Sequence, residues 1–281
     1  MIARRLLAPA KLNLSLHVVG RRADGLHELV SEFALLDLAD ALLLMAGCSG
    51  LRVSGPTALG VPAGTGENLA WRGLATALGA DLPLACLLLE KEIPASAGLG
   101  GGSSDAAAAW RLGRAWRGLG SAANAEVSAT ARLGADVPFF AAAVARAEVR
   151  GIGERVASLP PREGLVVLAD PGIGLSTASV FAELRRSDWS DPASDPERND
   201  LVAPARRLLP ELSELERQFG AAGVTPRLTG SGPTLFAVLD DPERGGALAA
   251  RLRRSGARVN ETRLRTEAAT IEEMSDELEE G

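Results

Sequence analysis

The chain has 281 residues, 46% of them hydrophobic, and carries 30 basic against 36 acidic side chains for a formal net charge of −6. That length and apolar content suffice for two cores of ordinary domain size, and the acidic balance gives no general attraction for nucleic acid or an anionic membrane, so an anionic ligand must find positive potential at its own site. No apolar run is long enough to span a bilayer and residues 1–10 lack the apolar core of a signal peptide, so a cytoplasmic protein is expected.

In chain order, the first element is an alternating stretch over residues 11–18. Leu12, Leu14, Leu16 and Val18 fall on one face, and Lys11, Asn13, Ser15 and His17 on the other. The period of two predicts a half-buried strand with Lys11 and Asn13 on its polar face. A Gly-, Arg- and Asp-containing loop over 20–25 follows, then Leu26, His27 and an apolar run to residue 38. Residues 68–79 read as a helix capped by Asn68, and 84–89 as a buried strand. Cys48 and Cys86 have no metal-ligand spacing and no histidine near them in sequence, so both read as buried small hydrophobes, not a zinc site or disulfide. Lysine occurs only at positions 11 and 91 in a chain whose other basic residues are arginines. A compact point charge is thereby singled out at Lys11, while Lys91 is read as a by-product of compositional bias. Tyrosine is absent, which removes one common general acid and one base-stacking ring.

The segment Pro94-Ala95-Ser96-Ala97-Gly98-Leu99-Gly100-Gly101-Gly102-Ser103-Ser104 runs into Asp105 and four alanines. Its glycines cannot form a helix interior and the alanines favour one, so a Gly-rich loop opening onto a helix capped by Ser103 or Ser104 is predicted. Such a loop lets several backbone N–H groups approach phosphate oxygens, with the helix N-terminus adding partial positive charge. Neither familiar phosphate fingerprint fits: a P-loop would need Lys where Ser103 stands, and a dinucleotide fingerprint would need Gly there. A further helix is expected over 122–133. Asp136 then lies between a helix end and the apolar Val137-Pro138-Phe139-Phe140, either as a turn aspartate or as a partly buried carboxylate needing a partner such as Lys11.

A turn cluster at 159–164 is the expected boundary between a domain of residues 1–160 and one of residues 161–281. Beyond it come a strand (165–169), a helix (178–186), a polar excursion (187–200), helices at 201–209 and 211–219, strands near 227 and at 235–239, and a helix over 243–254. The irregular mixture predicts an α+β fold. Between the late strands, Leu228-Thr229-Gly230-Ser231-Gly232-Pro233-Thr234 is either a tight hairpin connection or a second backbone approach to an anion, with the Thr229 and Ser231 hydroxyls as donors. Residues 267–281, acidic and without a base, read as a solvated or frayed tail.

Taken in order, Pro9 to Leu14, Arg22 to Glu28, Pro94 to Ala106, Leu133 to Phe139 and Leu228 to Pro233 resemble the motifs of the GHMP kinases. Lys11-Leu12-Asn13 with Asp24-Gly25-Leu26-His27 resembles the branch that acts on 4-diphosphocytidyl-2-C-methyl-D-erythritol. The resemblance covers residues about 8–240. It implies a two-domain α+β fold with ATP and substrate meeting in an inter-domain cleft, and transfer of the ATP γ-phosphate, with Mg2+, to the 2-hydroxyl of a cytidine diphosphate substrate in the non-mevalonate route to isoprenoids. By the same resemblance Lys11 and Asp136 form the catalytic pair, Pro94 to Ser104 hold the ATP phosphates, and Asn13 meets the substrate's hydroxyl or phosphate region. His27 meets the cytosine edge, and Thr177 and Phe181 lie near the cytidine; Thr229 and Ser231 join the substrate side. Phe181 also reads as a core residue of its helix. Leu26 stands where the family commonly stacks an aromatic ring on cytosine. The competing readings are another GHMP kinase, of mevalonate or homoserine type, and a nucleotide-sensing module without turnover. No nucleic-acid or membrane partner is expected.

Overall fold

The computed structural model describes residues 3–79 and 85–274. Its spine is a hairpin of two long strands, β1 (Ala3–Arg21) and β2 (His27–Ala46), paired antiparallel from Ala3↔Met45 to Arg21↔His27. Positive φ at Gly25 and an Asp24 side chain accepting from the Leu26 N–H close the turn. The strand expected to be half-buried is buried on both faces: Lys11, Asn13, Ser15 and His17 are as enclosed as Leu12, Leu14, Leu16 and Val18. Register shifts at Pro9/Lys11 and Asn13/Ser15 re-aim β1 locally, and the second half of the chain covers the face that alternation assigns to water.

β3 (Gly50–Ser54) and β4 (Ala85–Glu90) run parallel, which requires the crossover that carries α1 (Leu69–Leu78). Asn68 caps α1 as expected, accepting from the Ala70 and Trp71 N–H groups. The β2–β3 turn lies beside β4, and there the structure corrects the reading of the cysteines: Cys48 and Cys86 are joined as a disulfide, their Cα atoms 5.2 Å apart. A sequence separation of 38 residues hides that proximity.

α2 (Gly101–Trp116) begins earlier than expected, with Gly100 in the left-handed conformation as its N-cap and Ser103 and Ser104 inside the first turn. The alanine run has a packing reason. α2 lies so close to α1 that a Cβ on Gly73 would sit 2.1 Å from the Ala106 carbonyl oxygen, and only small side chains permit that approach. The single helix expected over 122–133 is instead α3 (Asn124–Ala129) followed by one 3₁₀ turn, Thr130–Arg132. α4 (Val137–Ala141) then opens at Asp136, and β5 (Arg146–Gly151) pairs with β2 and with β6 (Arg155–Ser158).

The second sheet is antiparallel. β7 (Leu165–Asp170) leads to the helices α5 (Thr177–Glu183), α6 (Val202–Leu208) and α7 (Glu211–Gly220). β8 (Arg227–Leu228), β9 (Leu235–Leu239), α8 (Pro242–Arg254) and β10 (Arg258–Arg263) complete it in the order β10-β7-β9-β8. Phe219, Leu212, Leu248 and Leu252 form its core with Val167 and Ala237. One cluster bridges the two sheets, in which Leu12, Leu14 and Leu36 meet Ile93, Leu99, Val166, Leu168 and Phe236. The two halves are therefore held together by fully desolvated apolar contacts, the strongest non-directional term available.

The last strand, β11 (Glu272–Met274), returns to the first sheet and pairs with β1 through Arg5↔Glu272 to Ala3↔Met274. This part of the tail is solvated on its side chains, as expected, but it is paired with the sheet, where Glu272 and Glu273 find Arg5 and Arg4 opposite them. Residues 275–281 of that expectation lie outside the described residues. Among the described residues no helix is long and apolar enough to cross a membrane.

Candidate active site

A cleft of about 590 Å³ opens where β1, the loop before α2, Asp136 and the loop between β8 and β9 converge. Lys11 stands at the middle of β1, its ammonium 3.4 Å from the Asp136 carboxylate. The same ammonium donates to Asn13 Oδ1 and lies 5.0 Å from the Phe33 ring centre. Asn13 in turn donates through Nδ2 to Ser31 Oγ at 2.9 Å, and Ser31 donates to the Ser15 carbonyl. Lysine, asparagine and two serines thus form one directional chain across β1 and β2, which fixes the lysine although it is almost wholly out of solvent. Asp136 is less enclosed, with 30% of its side chain exposed. It occupies the N-cap of α4 without using its side chain to cap, leaving the carboxylate free for the cleft and for Lys11.

Pro94 to Ser103 line the cleft, and the α2 N-terminus points its first free N–H groups there. The glycines are needed for close approach. A Cβ on Gly100, whose φ is +73°, would lie 3.0 Å from Lys11 Cγ. One on Gly98 would lie 2.5 Å from the Thr229 carbonyl oxygen. The two Gly-containing loops therefore interlock, and Thr229 ties them: its hydroxyl accepts from the Asn13 N–H at 3.0 Å and donates to the Gly98 carbonyl at 3.4 Å. Asn199 holds the second loop from behind, donating to the Leu228 and Gly230 carbonyls at 2.8 and 2.9 Å. Ser231 lines the cleft and shares a 2.8 Å hydrogen bond with Thr177.

Of the residues singled out from sequence, Lys11, Asn13, Pro94 to Ser103, Asp136, Thr177, Phe181 and Ser231 share the wall of this cleft. Thr229 and Ser104 do not. Both are buried, Thr229 as the tether just described and Ser104 facing the opposite side of α2, near Ala8 and Arg111. Leu26 is half exposed at the tip of the β1–β2 turn. His27 lies outside the cleft wall but touches it through Phe181, the two rings stacked 5.4 Å apart at 23°. The Trp189 ring meets His27 edge-on at 6.0 Å, with the Arg186 guanidinium 4.0 Å from the Trp189 ring centre on its other contact. Burial and the nearby Arg21 hold the His27 imidazole below the usual histidine range, which favours the neutral ring, able to donate at one nitrogen and accept at the other.

Lys91 is the functional candidate that composition hid, and its reading as an incidental lysine is corrected. It is buried at the floor of the cleft between two buried carboxylates, Asp40 and Asp105, in contact with Asp40 and 2.6 Å from Asp105. One ammonium between two carboxylates leaves an excess negative charge. Burial pushes the Asp105 carboxyl up to about 8 against the opposing pull of Lys91, so Asp105 is the member driven toward its neutral form. Burial alone would lower Lys91, but the attraction of Asp105 and Asp40 outweighs it and keeps the lysine charged. Asn199 and Trp189 were also invisible to sequence reading, since both fall in the polar excursion over 187–200.

Two family models match this chain, the GHMP kinases N terminal domain over residues 68–143 and the GHMP kinases C terminal domain over residues 180–258. The 4-diphosphocytidyl-2-C-methyl-D-erythritol kinase of Paracoccus denitrificans (strain Pd 1222) is 39% identical over 266 residues, covering 89% of this chain and 92% of the relative. A crystal structure of a 4-(cytidine 5'-diphospho)-2C-methyl-D-erythritol kinase superposes with a TM-score of 0.76 at 37% identity, over 92% of this chain and 98% of the other. A homoserine kinase from Cytophaga hutchinsonii shares the fold, with a TM-score of 0.69 over 97% of each chain, at 14% identity.

Proposed function

The chain belongs to the 4-diphosphocytidyl-2-C-methyl-D-erythritol kinase family of the GHMP kinases, and from that premise we propose that it transfers the γ-phosphate of ATP to the 2-hydroxyl of that cytidine diphosphate alcohol, in the cytoplasm. The observation that carries the reading is the Lys11–Asp136 pair, 3.4 Å apart at the same cleft as the free N–H groups of α2. The loop and the helix N-terminus bind the phosphates without any basic surface, as the acidic chain requires. Asp136 orients the attacking hydroxyl and accepts its proton, and Lys11 stabilises the resulting charge. Phosphoryl transfer passes through a loose transition state, so positioning and charge neutralisation carry more of the rate than early deprotonation.

Magnesium would enter with the nucleotide. The Ser103 hydroxyl, a hard oxygen donor on the cleft wall, fits it as one protein ligand. The ion would neutralise charge on the phosphates.

Residues 1–160 would supply the ATP side and residues beyond 160 much of the alcohol side. Phe181 supports a place for the base, since it faces the cleft and bears His27 on its ring. With a leucine at position 26, the aromatic contact to cytosine falls to Phe181. Base–aromatic stacking contributes about 1–3 kcal/mol per base, so Phe181→Ala is expected to raise KM for the cytidine substrate about tenfold with KM for ATP unchanged. An unchanged cytidine KM in the folded variant would move the base elsewhere.

The reading as a whole is tested by ATP consumption with 4-diphosphocytidyl-2-C-methyl-D-erythritol, mevalonate and homoserine in parallel. Turnover is expected with the first alone. Faster turnover with either of the others would reassign the substrate, and no turnover with all three would leave a nucleotide-binding module.

A further inference from the structure

We propose that Lys91 is a positioning residue of the nucleotide site, an inference that rests on the kinase reading above: by bonding Asp40 of β2 and Asp105, the residue that follows the first turn of α2, at once, it fixes the direction in which the phosphate loop presents its N–H groups.

Each member of the triad is held from more than one side. Asp40 accepts through its other oxygen from the N–H groups of Glu92 and Ile93, at 2.6 and 2.9 Å. The Lys91 backbone donates to the Ser54 carbonyl at 2.8 Å and accepts from the Thr57 N–H at 3.3 Å. Gly55 is pressed against it, such that a Cβ there would lie 2.4 Å from the Lys91 carbonyl oxygen. The lysine therefore has a fixed origin, and its ammonium reaches up to Asp105. On the way it passes under the first residue of α2, within 3.5 Å of where a Gly101 Cβ would be. Asp105 follows Ser104 directly, so a shift of its carboxylate moves the turn whose free N–H groups meet the phosphates.

Stability alone does not account for three buried ionisable groups. Apolar replacements of similar volume are commonly neutral or stabilising at such sites, because desolvation offsets much of the attraction between charges. What apolar contacts do not provide is direction. The triad supplies it at the one helix end that must hold a register to within fractions of an ångström for phosphate binding. Lys91 and Asp105 both border the cleft.

The decisive variant is Asp105→Ala, which cuts the tie to α2 and leaves Lys91 paired with Asp40. Affinity for a non-hydrolysable ATP analogue is expected to weaken about tenfold. KM for ATP should rise in step, while KM for the alcohol substrate stays within about twofold. Asp105→Asn keeps an oxygen able to accept from Lys91 and is expected to restore most of the affinity. Should Asp105→Ala not fold, the double variant Asp40→Asn with Lys91→Met removes the ion pair together, retains the acceptor for the Glu92 and Ile93 N–H groups, and is read in the same way. Wild-type analogue affinity in either folded variant overturns the proposal, as does an equal loss for both substrates. The binding measurement needs no alcohol, so a wrong choice of alcohol leaves it valid, whereas a wild-type protein that binds no analogue sinks the kinase reading and this inference with it.

Discussion

Asp136→Asn is expected to lower kcat by about 10²-fold or more while ATP affinity stays within about threefold, the range of lost acid–base assistance. The variant keeps the size and shape of the side chain and removes its charge and basicity. No helix cap depends on that charge, since Asp136 opens α4 without a side-chain cap, and its ion-pair partner is Lys11. Lys11 would keep Asn13 as its partner, so the phosphate side of the cleft should remain assembled. The check is kcat from a coupled ADP assay, alongside equilibrium binding of an ATP analogue. A variant that retains most of its kcat removes Asp136 from the chemistry.

Gly100→Val is expected to abolish ATP binding at concentrations up to about 100 times the wild-type Kd, with the protein still folded. Two effects act together. Gly100 has φ +73°, a conformation that β-branched residues hardly adopt. Its Cβ would also press on Lys11 Cγ and Cε at 3.0 and 3.1 Å and on the Phe140 ring at 3.1 Å. The substitution therefore strains the N-cap of α2 and displaces the lysine beside it. Far-UV circular dichroism establishes the fold and calorimetry with the analogue reads the binding. Normal affinity in the folded variant would reduce this loop to a turn.

The parts of the site legible in the sequence were those with local signatures. Glycines before an alanine run announce a phosphate loop, alternation announces β1, and Asn68 announces a helix start. What stayed hidden depends on pairing across long separations. Lys91 looks like any lone lysine until β2 brings Asp40 beside it from 51 residues away and α2 brings Asp105. The polar side of β1 reads as wet because alternation cannot say what covers a strand, and here loops of the second half do, with Gly230 beside Lys11 and Asn13 and Ser190 against His17. Strands β5 and β10 escaped notice for a related reason. Charged residues stand at Arg146, Glu148 and Arg150 in β5 and at Arg258, Glu261 and Arg263 in β10, and such charge masks the short apolar period. The α2 cap lies three or four residues before Ser103 or Ser104 because Gly101 and Gly102, poor helix formers, stand in the helix where a Cβ would meet Ile93 and Leu69.

The return of the chain to its first sheet also bears on how copies of the protein behave toward one another. A long flat strand edge offers a row of unpaired N–H and C=O groups to which a second molecule can add. Over residues 3–5, β11 takes up that side of β1 and substitutes an outer edge of three exposed residues, two of them carboxylates held by Arg4 and Arg5. An edge so short and so charged is a poor template for strand addition, so this flank of the sheet is guarded against self-association by the very residues whose composition reads as a loose acidic end.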